Sequence, residues 1–231
     1  MTRRCHYHID LDHFPETVPA PDLKTHVNRL ISDVVAAAVM AMLAAPWTQA
    51  AFADGDPARG RMLGLTCLGC HGIDGYRNAY PSYRVPKLGG QKPAALEAAL
   101  RAYRDENRPH HTMQAQGASL TDQDIEDVVA WMAEAPAASD DIEAEGVGSL
   151  EALKTCVACH GTAGATVLPT PPILSGQHES YLQEALTQYK DGERGNTVMS
   201  AFTIGLTDRD IEQLAAFYAA QGGLYTLGGY H

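Results

Sequence analysis

Apolar residues recur along this chain at the three- and four-residue spacing of a helix face. Leu96, Ala99, Leu100 and Tyr103 fall at i, i+3, i+4 and i+7, and Leu182, Ala185, Leu186 and Tyr189 copy that stripe. Ile125, Val128, Val129 and Met132 form a second stripe, which Ile211, Leu214, Ala215 and Tyr218 match. Start signals precede these segments. Asp56-Pro57 reads as an N-cap followed by proline at the first helical position. Pro93 opens another helix. Thr121-x-x-Asp124 and Thr207-x-x-Asp210 have the form of capping boxes, with Asp in place of Glu. No alternating strand pattern competes with them, so the fold class predicted is all-α.

The stripes repeat because the chain repeats. Pro86, Leu88, Gly90 and Gln91 answer Pro172, Leu174, Gly176 and Gln177, always 86 residues apart. Tyr103 and Tyr189, Arg108 and Arg194, Met113 and Met199, and Leu120-Thr121-Asp122 and Leu206-Thr207-Asp208 keep the same offset. A shared offset across so many residue types marks two copies of one module. We place the first at 54–133 and the second at 152–231, joined by a linker at 134–151 that holds six acidic residues and no basic one. A solvated connector suits that composition.

Upstream of the first copy, residues 34–45 form an apolar run preceded by Lys24 and Arg29 and followed by Ala51-Phe52-Ala53. That is the layout of a secretory signal peptide, and residues 1–53 are expected to be a leader cleaved before Asp54. The run is short of the roughly 20 apolar residues a spanning helix needs, the alternative being a membrane anchor. An exported product is expected to be periplasmic. The net charge of −11 argues against a nucleic-acid partner.

Four of the five cysteines sit in two identical patterns, Cys67-x-x-Cys70-His71 and Cys156-x-x-Cys159-His160. This pattern reads as c-type haem attachment. On a helical turn, residues i and i+3 share a face. Two thiols there can form thioethers with the two haem vinyl groups, and the adjacent histidine reaches the iron. Zinc binding, a thioredoxin-like redox pair and structural disulfides are the alternatives. Zinc motifs pair within a short stretch, whereas these lie 89 residues apart. A redox pair needs a βαβ setting that the pattern lacks.

A sixth ligand is then needed for each iron. Met113 and Met199 keep the 86-residue offset and are expected in polar loops between helices, where a methionine has no packing reason. They are assigned as the distal ligands opposite His71 and His160. His/Met ligation raises the reduction potential and closes both axial positions, which suits electron transfer. His110 or His111 is the rival on the first iron. The carbonyls of Pro86 and Pro172 are candidates to receive the free ring N–H of each histidine. Arg108 and Arg194 are candidates to neutralise haem propionates, with a solvated surface charge as the alternative. Tyr76, Arg77, Tyr80, Tyr83, Arg84 and Lys87 form a basic, aromatic stretch that either guides a partner or covers the haem.

With both Cys-x-x-Cys-His motifs, both Pro-x-Leu-x-Gly-Gln stretches, both methionine segments and both Leu-Thr-Asp helix starts in register, the chain over 54–231 resembles a dihaem cytochrome c of the cytochrome c4 type. The resemblance implies two tandem class I cytochrome c domains, each wrapped around one covalently attached haem c. It implies a periplasmic, often membrane-associated electron carrier that is not an enzyme. Its redox partners would be a membrane oxidase or a quinol-oxidising complex in a respiratory chain. The alternative is the dihaem subunit of a larger dehydrogenase, like that of sulfide-oxidising flavocytochrome c.

Overall fold

The computed structural model describes residues 55–138 and 151–229, all within one compact unit, Phe52–His231. The predicted leader and most of the acidic linker lie outside the described residues. The first copy contributes α1 (Pro57–His71), α2 (Pro93–Arg104), α3 (His111–Ala118) and α4 (Asp122–Ala133). The second contributes α5 (Leu153–His160), α6 (Glu179–Lys190), α7 (Thr197–Thr203) and α8 (Asp208–Ala220), and a short 3-10 turn follows at Leu227–Gly229. Among the described residues the only β pairing is isolated bridges.

The start signals work as the sequence predicts. The Asp56 carboxylate accepts from the amides of Ala58 and Arg59 at 2.9 and 3.2 Å. Thr121 and Asp124 close a capping box at α4, and Thr207 and Asp210 close its copy at α8. Asp therefore replaces Glu without loss of the reciprocal bonds.

In the first copy α1 crosses α4 at very short range. A β-carbon on Gly60 would stand 1.8 Å from the Asp127 carbonyl oxygen, and one on Gly64 would stand 2.2 Å from the Trp131 ring. The crossing is tied by Asp127, which accepts from the Asp56 amide at 2.7 Å and from Gln123 at 2.9 Å, and which pairs with Arg59. Arg59 also pairs with Asp124. Leu96, Ile125, Val128, Val129 and Met132 fill the core beneath. Met132 is thus a packing residue. The second core is built from Leu153, Leu182, Leu214, Ala215, Phe217 and Tyr218.

The two copies share a joint with approximate two-fold equivalence. Gln91 Nε2 donates to the Ile173 carbonyl at 3.0 Å and its Oε1 accepts from the Ile173 amide at 2.9 Å. Gln177 does the same to Lys87, at 3.0 and 2.9 Å. Position 173 is position 87 shifted by 86, so each glutamine grips the equivalent residue of the other copy. Gly90 and Gly176, at φ of +81° and +72°, make the turn that aims each glutamine, which explains the glycine before it in the repeat.

The end of the chain then crosses back. Tyr225 exchanges backbone bonds with Gly89 at 2.9 and 3.1 Å, and its hydroxyl donates to the Pro136 carbonyl at 2.6 Å. Leu227, 4% exposed, enters the core of the first copy. The second copy therefore completes the hydrophobic core of the first.

Candidate haem sites

Each Cys-x-x-Cys-His motif ends its own helix. Cys67, Cys70 and His71 close α1, and Cys156, Cys159 and His160 close α5. All four cysteines are free thiols, three partly buried and Cys159 exposed. Burial raises the Cys67 and Cys156 thiols above their usual range. Among the described residues no three His, Cys, Asp or Glu side chains converge on a common metal position.

Both histidines are buried and held in one tautomer. His71 Nδ1 donates to the Pro86 carbonyl at 2.8 Å, and His160 Nδ1 to the Pro172 carbonyl at 3.0 Å. A carbonyl only accepts, so the proton sits on Nδ1 and the Nε2 lone pair is free for a metal. Burial lowers both imidazoles below their ordinary value, with the carbonyl bonds acting the other way. The neutral ring is the form that ligates. His71 and Pro86 are 15 residues apart and His160 and Pro172 are 12 apart. The same contact therefore survives the three-residue difference between the copies.

Met113 and Met199 sit on helices, in α3 and α7, not in loops. Propensity and periodicity miss these helices because each is only two turns long and lacks an apolar stripe. The capping residue reveals them instead. His110 Nδ1 accepts from the Met113 amide at 3.2 Å, and Asn196 Oδ1 accepts from the amides of Val198 and Met199, both at 3.1 Å. His110 and Asn196 are equivalents in the repeat and do the same work. The Nδ1 lone pair of His110 is thus used by the helix start that carries Met113. Arg108 and His110, on the approach to α3, act electrostatically on His71.

Arg108 and Arg194 are not solvated surface charges. Each is 9% exposed and lies over a tyrosine of its own copy, Arg108 at 4.4 Å from the Tyr103 ring centre and Arg194 at 4.5 Å from Tyr189. Among the described residues neither is paired with a carboxylate. Two buried guanidinium groups without an anion suit a cofactor that brings its own carboxylates. The residues present therefore fit haem.

The basic, aromatic stretch after the first motif is partly absorbed by the joint. Tyr83 is buried, 6.3 Å from Tyr181 of the second copy, and the Arg84 amide donates to Ser180 at 3.1 Å. Lys87 donates to the Gly176 carbonyl at 2.6 Å. Arg77, Tyr80 and the Arg84 side chain stay exposed. In the sequence Gln91 and Gln177 are repeat markers, and their shared 86-residue offset is the one signal of their role in the joint. Tyr181 has no repeat equivalent, since Ala95 stands at its position, and nothing in the pattern flags it.

Known proteins agree with this architecture. A family described as cytochrome c matches residues 57–136, and one described as cytochrome C oxidase, cbb3-type, subunit III matches residues 145–217. Cytochrome c4 of Pseudomonas aeruginosa is 29% identical over 74% of this chain and 90% of its own length. A thiosulfate dehydrogenase electron acceptor of Stutzerimonas stutzeri is 30% identical over 68% of this chain and 80% of its own. The crystal structure of reduced cytochrome c4 from Pseudomonas stutzeri superimposes with a TM-score of 0.57 at 26% identity, covering 74% of this chain and all of that one. Two haem-type halves in tandem, matched across nearly the whole length of such relatives, place this chain in the family of dihaem c-type cytochromes of the cytochrome c4 type, electron carriers with two covalently bound haem c groups.

Proposed function

We propose that Cys67 and Cys70 anchor one haem and Cys156 and Cys159 the other, with His71 and Met113 as axial ligands of the first iron and His160 and Met199 of the second. The observation that carries this is the duplicated bond from His Nδ1 to a proline carbonyl, which presents Nε2 from a rigid, buried ring in both copies. The haem supplies one-electron cycling of its iron. The chain's own residues hold the imidazoles neutral, pin each methionine helix by its cap and supply the buried Arg108 and Arg194 guanidinium groups that would pair with haem carboxylates. With one histidine and one methionine on each iron, no coordination position would remain for a substrate.

On this reading the protein shuttles single electrons in the periplasm between partners of a respiratory chain. The pattern of residues 1–53 supports export, and among the described residues no helix is long and apolar enough to cross a membrane. Purified holoprotein should show two haems per chain as the pyridine derivative. Its oxidised form should show the weak far-red charge-transfer band of methionine ligation. One haem per chain, or no such band, overturns the assignment.

The relative named as a thiosulfate dehydrogenase electron acceptor favours a second reading, in which a dehydrogenase supplies the electrons. Reduction of the holoprotein by such an enzyme and its substrate, faster than by substrate alone, supports that donor. Equal rates exclude it.

A further inference from the structure

The end of the chain touches both pieces of backbone that hold His71. On one side, a β-carbon on Gly228 would stand 2.0 Å from the carbonyl oxygen of Gly72, the residue that follows His71 and caps α1. The Thr226 hydroxyl donates to Asp74 at 3.3 Å, two residues further on. On the other side, Tyr225 exchanges backbone bonds with Gly89 at 2.9 and 3.1 Å, three residues past the Pro86 carbonyl that receives the His71 ring proton. Leu227 enters the core against which Cys67, Leu68 and Leu88 pack.

The second copy closes the same gap with its own loop. The Gly164 carbonyl accepts from the amides of Leu174 and Ser175 at 2.7 and 3.3 Å, which bonds the loop after the motif to the segment after Pro172. Lys92 of the first copy also holds the Thr166 and Leu168 carbonyls of that loop. Leu174 and Ser175 are the equivalents of Leu88 and Gly89. In the first copy the path from histidine to proline is 15 residues instead of 12, and the Gly89 amide turns to the Tyr225 carbonyl. Leu224, one residue earlier, donates to the Ser175 carbonyl at 2.9 Å. Adjacent residues of the tail therefore bind the equivalent positions of both copies.

We propose that the tail from Tyr225 to Gly228 is a positioning clamp for the histidine of the first haem, supplied by the second copy. It holds the segment after His71 against the segment after Pro86 and so keeps the bond that orients the imidazole. The inference rests on the haem assignment above. Its physical basis is the geometry of that bond. A ring N–H keeps a carbonyl partner only while the two segments keep their separation. The partner in turn fixes the tautomer and direction of a metal-bound ring. Gly72 and Asp74 are tied to the tail on one side of the bond and Gly89 on the other, so the tail spans it. In the second copy the loop's own backbone does this work at Gly164. The ligand geometry of the first site is thus completed by residues more than 150 positions away from His71, and it depends on the second copy being folded.

The test follows the ring N–H proton of each ligand histidine by proton NMR in reduced holoprotein, with two haems confirmed per chain. Gly228→Ala places a methyl group where the Gly72 carbonyl stands and lifts the tail from the end of α1. Exchange of the His71 ring N–H with solvent should quicken by roughly tenfold, beyond any change at the Ile125 and Val128 amides of α4, while His160 keeps its rate. A chain ending at Leu224 removes the clamp outright and should quicken His71 further. Thr226→Val deletes only the hydroxyl that reaches Asp74, so it tests the clamp even if the other two variants misfold, and it should quicken His71 alone. An unchanged His71 rate overturns the proposal. Equal losses at His71 and at the α4 amides make the tail a general stabiliser and overturn it too, as does an equal rise at His160. A wild-type chain with fewer than two haems, or without the far-red methionine band when oxidised, overturns the ligand assignment itself, and this inference with it.

Discussion

Gln91 of the first copy makes both backbone hydrogen bonds of Ile173 in the second, donating at 3.0 Å and accepting at 2.9 Å, as a neighbouring strand would. Its Oε1 also accepts from the Lys92 amide at 3.0 Å at the start of α2, and Gln177 repeats this with the His178 amide. One side chain therefore fixes the residue that precedes its own helix and clamps the other module. Gln91→Ala leaves the Ile173 amide and carbonyl unpaired in a partly buried joint, at a cost of about 1–3 kcal/mol. Amide hydrogen exchange should show faster exchange at Ile173, with α8 unchanged. Equal protection at Ile173 in both proteins would show that the clamp is not needed.

The returning end of the chain makes a second prediction. Leu227→Ala removes a buried side chain from the core of the first copy and should cost about 2–5 kcal/mol. Because Leu227 belongs to the second copy, the loss should fall on the first. Thermal unfolding should show the first module melting earlier while the second holds. A uniform shift of both would mean the copies unfold as one cooperative unit.

Acid should act first on the α1–α4 crossing. Hydrogen bonds from Thr121, and then from Arg59, hold the Asp124 carboxyl down at about 2. Asp127 is held below its usual value by Gln123, against burial, with help from the Asp56 amide and Arg59. A depressed carboxylate contributes stability that is complete above its unfolded value, about pH 4, and that is lost as pH falls toward the folded value. Stability should therefore decline between about pH 4 and pH 2. Arg59→Ala should lower stability at neutral pH and flatten that decline, as read by denaturant midpoints across the range. An acid profile identical to wild type would rule out this pair of carboxylates as its source.

The distal ligands can be separated by substitution. Met113→His should lower the potential of one haem and halve the far-red band, and Met199→His should do the same to the other. The double variant should lack the band. Retention of the full band in either single variant would place the sulfur ligand elsewhere.

Helix stripes, capping boxes and both Cys-x-x-Cys-His motifs were legible in the sequence because each depends on residues close together in the chain, and the repeat because one offset joins many residue types. The proline carbonyls opposite His71 and His160 were legible for the same reason, lying 15 and 12 residues away on a chain that proline stiffens. The helices under Met113 and Met199 were not legible, since two turns without an apolar stripe leave no periodic trace and only the caps His110 and Asn196 define them.

Local pattern thus determined the helices, the repeat and the two haem-attachment motifs. Tertiary structure alone decided how the modules meet. Gln91 and Gln177 find backbone more than 80 residues away, Leu227 fills a core that is not its own, and Arg108 of the first copy donates to Tyr181 of the second. Such contacts depend on the packing of two folded surfaces, and a repeat in the sequence records what the copies share but not where they differ.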